Sequence, residues 1–336
     1  MSVPDAVAAG GTSRSIAVGW LTPKKRLVLM SAICVVAALC FVFLLVRGSW
    51  DFTVPRRATM LGAMAVAACT QGIATVLFHT VTHNRILTPS IVGFDSLYVL
   101  MQTVTVFLFG GTAIAATEGI PKLLAQTALM VVFATVLYGW LFSGRFGSLY
   151  LLLLVGVVLG LSFQSVSTFL QRLLSPTEYD MLSVELFGRI SAVKPDYLPL
   201  AFGICAVVCL VVWTRRHQLD VLLLGREHAT NLGVNHRREL ILMLVIVALL
   251  ISFSTALVGP MTFYGFIVAT LTYQVAGDYR HQYVLPMAFL LGFLTLVVAQ
   301  FVMQHVFYAG GLLTVLIEFV GGLLFLVVLL RKKGAV

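Results

Sequence analysis

Glu318 stands between Ile317 and Phe319, well inside an apolar run near the end of the chain. An ionisable group in hydrocarbon is costly and seldom faces lipid, so it implies either a water-filled path or a hydrogen-bonded place inside a helix bundle. Gln164, Ser165, Ser167 and Thr168 cluster in a second apolar run. There, amides and hydroxyls either join helices or line a path. His79 and His83 share the i, i+4 spacing of a helical metal pair. No carboxylate or third ligand accompanies them, so no metal site is expected. The five cysteines, Cys34, Cys40, Cys69, Cys205 and Cys209, all lie in apolar runs without a CxxC pair and read as small buried apolar residues. No credible acid–base pair, Ser-His-Asp set or GxxxxGK[ST] loop is found, so no catalytic residue is assigned and no P-loop nucleotide site is expected on this chain.

The elements that must hold these groups follow from composition. Of 336 residues, 60% are hydrophobic and 10% charged, whereas soluble domains carry about 25% charged residues. The expected fold is an all-α integral membrane protein. Crossing the hydrocarbon core takes roughly 20 residues. Ten spans are read at 27–46, 58–78, 91–109, 123–142, 148–170, 198–214, 239–257, 261–276, 284–304 and 311–330, the eighth being short. Breakers such as Pro55, Pro89, Gly144, Pro195, Gly259-Pro260 and Gly310-Gly311 punctuate them. Residues 1–22 read as a polar N-terminal tail on the cytoplasmic side and 23–336 as one transmembrane domain.

Ten spans place both termini on one side. With the N-terminus inside, the inner segments hold fifteen Lys and Arg and the outer ones seven, including Arg47, Arg56, Arg57, Lys122, Arg172, Arg189 and Lys194. The positive-inside bias therefore favours N-in, C-in, and the net charge of +9 is an orientation signal rather than a sign of nucleic-acid binding. In the longest outer segment, Ser175-Pro-Thr-Glu178 has the form of a capping box with Pro at the first helical position, which predicts a short outer helix.

The most basic connection, 215–240, lies on the inner side. Asp220 is placed to N-cap a helix over 221–231, and Gly233 to end it in left-handed conformation. Pattern alone leaves an ordinary amphipathic loop helix equally open.

The run L-x-L-G-x-x-x-A-x-x-L-G-V, carried by Leu222, Leu224, Gly225, Ala229, Leu232, Gly233 and Val234, resembles the ATPase-coupling segment of FecCD-type permeases of iron-siderophore and vitamin B12 importers. Further matches cover nearly the whole chain after residue 50. They are Val54-Pro55-Arg56, then Gln71, Asn84, Leu87, Pro89, Ile91 and Gly93, then Gly259-Pro-Met-Thr-Phe-Tyr-Gly-Phe-Ile267, Asp278-Tyr-Arg-His281 with Leu285-Pro286, and Gly321-Gly-Leu-Leu-Phe325. The resemblance implies a type II ABC importer permease fold. It implies a coupling segment at about 220–235 that includes Arg226 and Glu227, and a binding-protein docking face at Arg56 with its neighbour Arg57. It implies a translocation path along the fifth and last spans, so that Gln164, Ser167 and Glu318 become path candidates. Gln300, standing where an acidic residue is common late in the ninth helix, joins them. The implied partners are an ABC ATPase dimer that carries the ATP and Mg, a second permease subunit, an extracytoplasmic substrate-binding protein and a ferric siderophore. The implied location is the bacterial cytoplasmic membrane.

The departures are informative. Ala269-Thr270 replace the Pro-His expected after G-L-I-x, Asn84-Arg85 replaces an Asn-Pro, Leu97 stands at a small-residue position and Leu323 replaces a Pro. Such divergence resembles the subunits of the anguibactin and enterochelin systems, which pair with a non-identical permease. Two other function classes compete, besides cobalamin or heme as cargo of the same kind of importer. An ion-coupled secondary transporter requires mid-bilayer ionisable groups at a broken helix, for which Glu318 is the sole candidate by this reading. A membrane enzyme requires a convergent constellation that the sequence does not offer.

Overall fold

The computed structural model describes residues 21–45, 49–110, 119–143, 149–186, 190–308 and 313–333. Most of the expected tail, together with Arg47, Arg145, Arg189, Gly144 and Gly310-Gly311, lies outside the described residues. Within them the regular structure is helical: α1 (Pro23–Phe43), α2 (Trp50–Thr82), α3 (Phe94–Phe109), α4 (Ile120–Ser143), α5 (Leu149–Gln171), α6 (Pro176–Leu186), α7 (Leu198–Thr214), α8 (Arg216–Leu222), α9 (Arg226–Asn231), α10 (His236–Val258), α11 (Tyr264–Val275), α12 (His281–His305) and α13 (Leu313–Lys333). Each expected span meets one helix. The short outer helix is α6, and its capping box is formed: Ser175 donates its backbone N–H and its hydroxyl to Glu178 at 3.0 and 2.7 Å. That interaction holds the exposed Glu178 carboxyl below its ordinary value.

α2 is the axis of the bundle. It has 33 residues, far longer than its expected span, and packs against α12, α10, α11 and α7. From Ala63 to Thr82 nearly every residue is buried, so polar side chains on it must satisfy themselves. Thr70, Thr75 and Thr80 do so by donating to carbonyls one turn back. α1 lies outside on α12 and α2, α4 packs on α10, and α3 packs on α5.

Two spans are not simple crossings. α11 has 12 residues, about 18 Å at 1.5 Å per residue, against roughly 30 Å of hydrocarbon. The eighth expected span is therefore part helix and part irregular chain, because Gly259 (φ +90°) and Pro260 end α10 and delay the next helix. The third is also delayed. After α2 stops at His83 in left-handed conformation, a short 3-10 turn, Ser90–Val92, precedes Gly93 at φ +109°. Gly93 fits tightly against Gly156 and Gly160, which stand in the interior of α5. This break therefore lies within the bundle. Irregular backbone at such depth is tolerated only when buried in protein, and here the two irregular segments support each other: Thr88 Oγ1 donates to the Thr262 carbonyl at 3.4 Å.

Candidate functional site

The charged inner segment does not form the single helix expected over 221–231. α8 closes with Leu224 and Gly225 N–H groups bonded to the Val221 and Leu222 carbonyls. Gly225 at φ +89° then turns the chain into α9. Asp220 consequently lies inside α8 rather than at an N-cap, and its carboxylate reaches across to His281 at the start of α12. Gly233, by contrast, adopts the expected left-handed conformation at φ +82°. The N–H of Val234 bonds to the Ala229 carbonyl and that of Gly233 to the Thr230 carbonyl, both at 3.0 Å, which is the Schellman arrangement. Asn235 then caps α10 by accepting from the Arg238 N–H at 3.2 Å.

The nine coupling candidates separate by exposure. Leu224 and Leu232 are 56% and 62% exposed. Arg226, Glu227 and Gly233 are exposed beside them, and Gly225 and Val234 are half-buried. Leu222 and Ala229 face inward and are fully or almost fully buried. These two are anchors of the short helices rather than members of the exposed face, because each points from its helix toward the packed neighbours α8, α10 and α2. Besides the Asp220 contact, two further ties hold the segment to the bundle on this side. His83 meets the Leu222 carbonyl through Nε2 at 3.1 Å, and Arg215 pairs with Glu239 at the start of α10. His79 is buried instead and meets the Tyr273 hydroxyl at 3.3 Å, so the two histidines serve different partners. Arg85 lies over the rings of Tyr273 and Tyr279, at 4.7 and 5.3 Å from their centroids. The residue that breaks the Asn-Pro pattern thus ties the loop after α2 to the α11–α12 turn.

At the opposite end, Arg56 is exposed. Arg57 is not a surface residue: it is 8% exposed, and its guanidinium donates to the carbonyls of Phe41, Val42, Leu44 and Leu45 at 2.7 to 3.2 Å. These are the orphan carbonyls at the end of α1. The docking expectation is corrected accordingly and rests on Arg56 alone. Arg57→Leu is expected to strand those acceptors, at about 1–3 kcal/mol for each buried group left unpaired. The measurable outcome is a lowered melting temperature in detergent, with Arg56→Glu melting as wild type. Equal melting of Arg57→Leu and wild type would remove the capping role.

Among the path candidates, Glu318 is half-buried and faces the Thr262 backbone N–H. The Thr262 hydroxyl donates to Asp95 Oδ2 at 3.0 Å, and Thr255 approaches Oδ1 at 3.5 Å. Asp95 is 7% exposed. The chain therefore holds a second intramembrane carboxylate that the sequence reading passed over, held by Thr262 at the break before α11. The signal was available: a lone Asp two residues after Gly93 inside an apolar run. Gln164 lies exposed on α5 with Ser165 and Thr168. Both hydroxyls donate to their own helix at 2.8 Å. The Gln164 amide cannot be satisfied by lipid, so this face calls for water or another subunit. Ser167 and Gln300 are buried within the bundle, at 0% and 1% exposure. Ser167 donates to the Phe163 carbonyl at 2.7 Å. They do not join an open polar surface of this chain.

Comparison with known proteins places this architecture. The sequence profile of the FecCD transport family matches residues 48–331. The chain is 46% identical over 281 residues to the petrobactin import system permease protein FatC of Bacillus anthracis, covering 84% of this chain and 79% of that protein. It is 39% identical over 286 residues to the petrobactin import system permease protein YclO of Bacillus subtilis, covering 85% and 91%. Its fold matches an inward-facing metal-chelate type ABC transporter with a TM-score of 0.76 over 92% of this chain and 100% of the other, at 18% identity. At that identity the likeness concerns the fold.

Proposed function

The chain belongs to the FecCD transport family, and from that premise we propose that it is the permease subunit of an ABC importer carrying a ferric siderophore of the petrobactin class across the bacterial cytoplasmic membrane. The observation that carries the substrate class is the 46% identity to a petrobactin import permease over most of both chains. The chain is a multi-pass transport subunit and not an enzyme. It binds no cofactor of its own; ATP and Mg reside on a partner ATPase dimer. The exposed face of α8–α9, from Leu224 to Gly233, receives that ATPase, and Leu222 and Ala229 seat it on the bundle. Arg56 contributes to docking of an extracytoplasmic substrate-binding protein. A second, non-identical permease covers the α5 face that exposes Gln164, and the path runs between the two subunits past Glu318 and Asp95.

The mechanism is alternating access. ATP can drive it only if the ATPase contacts two permease states differently, since a partner that binds both states equally shifts nothing. The two broken segments before α3 and α11 give the path polar backbone and carboxylates at depth without exposing either to lipid. Co-purification from the native membrane tests the assembly. An ABC ATPase and a different FecCD-type permease are expected in the complex. Recovery of this chain as a stable unit without an ATPase would overturn the importer reading, and recovery with a second copy of itself would overturn the non-identical pairing.

A further inference from the structure

Asp220 and His281 lie 61 residues apart, yet two hydrogen bonds join them at the inner end. Asp220 Oδ1 accepts from the His281 backbone N–H at 2.8 Å and from its ring Nδ1 at 2.6 Å. The other ring nitrogen, Nε2, meets Thr80 Oγ1 on α2 at 2.8 Å. An ionised carboxylate only accepts, so Nδ1 carries a hydrogen. The single Thr80 hydroxyl hydrogen has two acceptors in reach, Nε2 and the Val76 carbonyl at 2.9 Å. The imidazole is thus pinned from both sides, and it is 1% exposed. Burial alone would raise the Asp220 carboxyl; the hydrogen bonds it accepts from His281 hold it below its ordinary value.

This contact sits where movement must pass. Leu219 and Leu222 bury one side of α8 against α2 and α12. Toward α10 the segment continues through the Gly233 turn, a backbone link of a few residues. Toward α12 the link is Asp220 itself. α12 packs on α1, α2, α11 and α13; α13 carries Glu318 and α11 begins just after Thr262. A rigid tie from α8 to α12 therefore connects the ATPase-facing surface with the carboxylates at depth by one helix.

Resting on the importer reading, we propose that Asp220 and His281 are positioning residues: their contact, buttressed by Thr80, hands displacement of α8–α9 to α12 and thereby couples ATP hydrolysis to opening of the path. Neither residue touches substrate or ATPase. If the tie only stabilised the fold, breaking it would lower assembly and leave the stoichiometry of surviving complexes unchanged. If it couples, breaking it lowers chelate moved per ATP hydrolysed while the ATPase stays bound.

The experiment uses the full complex in proteoliposomes with its binding protein and ferric petrobactin as probe. Uptake and phosphate release are measured together. Asp220→Ala is expected to lower the transport-to-hydrolysis ratio by about tenfold, within the usual range of coupling between sites. Asp220→Asn, which keeps an acceptor for the His281 N–H groups, is expected to stay within about twofold of wild type. The Asp220→Ala/His281→Ala double variant is expected to be no worse than the first variant, as for two residues acting through one contact. A wild-type ratio in Asp220→Ala overturns the proposal. Should that variant not assemble, Asp220→Glu shifts the carboxylate by one methylene and is read in its place: the same fall supports the proposal and a wild-type ratio overturns it. A wild-type complex that shows no ATP-driven uptake at all would instead defeat the importer reading.

Discussion

Leu232→Glu is expected to release the ATPase while leaving the chain folded. Leu232 is 62% exposed in this chain and Leu224 56%. They flank α9, whose remaining outward residues are polar, and they are the large apolar groups of the coupling face. Covering an exposed leucine contributes about 1.5–3 kcal/mol. A glutamate there forfeits that gain and leaves a charge to be desolvated at the contact without a partner. Together these reach a loss of more than about a hundredfold in affinity, since roughly 1.4 kcal/mol is a factor of ten. Ala229→Arg is expected to act differently. Ala229 is fully buried, so the arginine cannot simply enter the ATPase groove. It must push α9 off α8 and α10, and both folded yield and ATPase binding fall. The checks are co-purified ATPase and a detergent melting curve for each variant. If Leu232→Glu retains stoichiometric ATPase, this face is not the coupling surface.

The second large effect is expected at Gly156. A Cβ built there would collide with Val92 Cγ1 and stand 2.9 Å from the Val92 carbonyl oxygen. The second of these is backbone, and it cannot turn aside as a side chain would. It belongs to the turn that Gly93 closes at φ +109°, itself against Gly156 and Gly160. Gly156→Val must therefore displace the break before α3 and carry Asp95, two residues beyond Gly93, away from Thr262. Overpacking of a tight core costs about 1–3 kcal/mol, and here the loss of the Asp95 hydrogen bond adds to it. Melting temperature and uptake should both fall steeply, with Gly156→Ala intermediate. A Gly156→Val protein that melts and transports as wild type would show that the α5 contact is looser than the structure has it.

What could be read from the sequence is what hydropathy and local chain geometry determine. All ten expected spans meet helices, because apolar runs of membrane length leave the backbone no other way to satisfy itself. The Ser175–Glu178 capping box and the Gly233 stop are equally local, being written within four to six residues. What could not be read depends on which helix ends meet. Arg57 stands two residues after Pro55, next to an outer connection, and has every local mark of a surface residue. Only the approach of α1's last turn makes it a cap. Asp220 satisfies the pattern of an N-cap, yet Gly225 splits the helix five residues later and the carboxylate finds His281 instead. Ala229 and Leu232 belong to one sequence pattern, but only packing tells that the first is an anchor and the second an exposed contact. Asp95 was hidden by its own span, where a single acid stands within a long apolar run.

The most direct test of the central claim is uptake of ferric petrobactin into proteoliposomes that hold this chain with its ATPase and second permease, assayed with and without binding protein and ATP. The expected result is accumulation that requires both, is unaffected by collapsing the proton and sodium gradients, and is lost with an ATPase unable to hydrolyse ATP. Accumulation that proceeds without ATP and vanishes when an ion gradient is collapsed would contradict the account, and would instead assign Asp95 and Glu318 to an ion-coupled carrier.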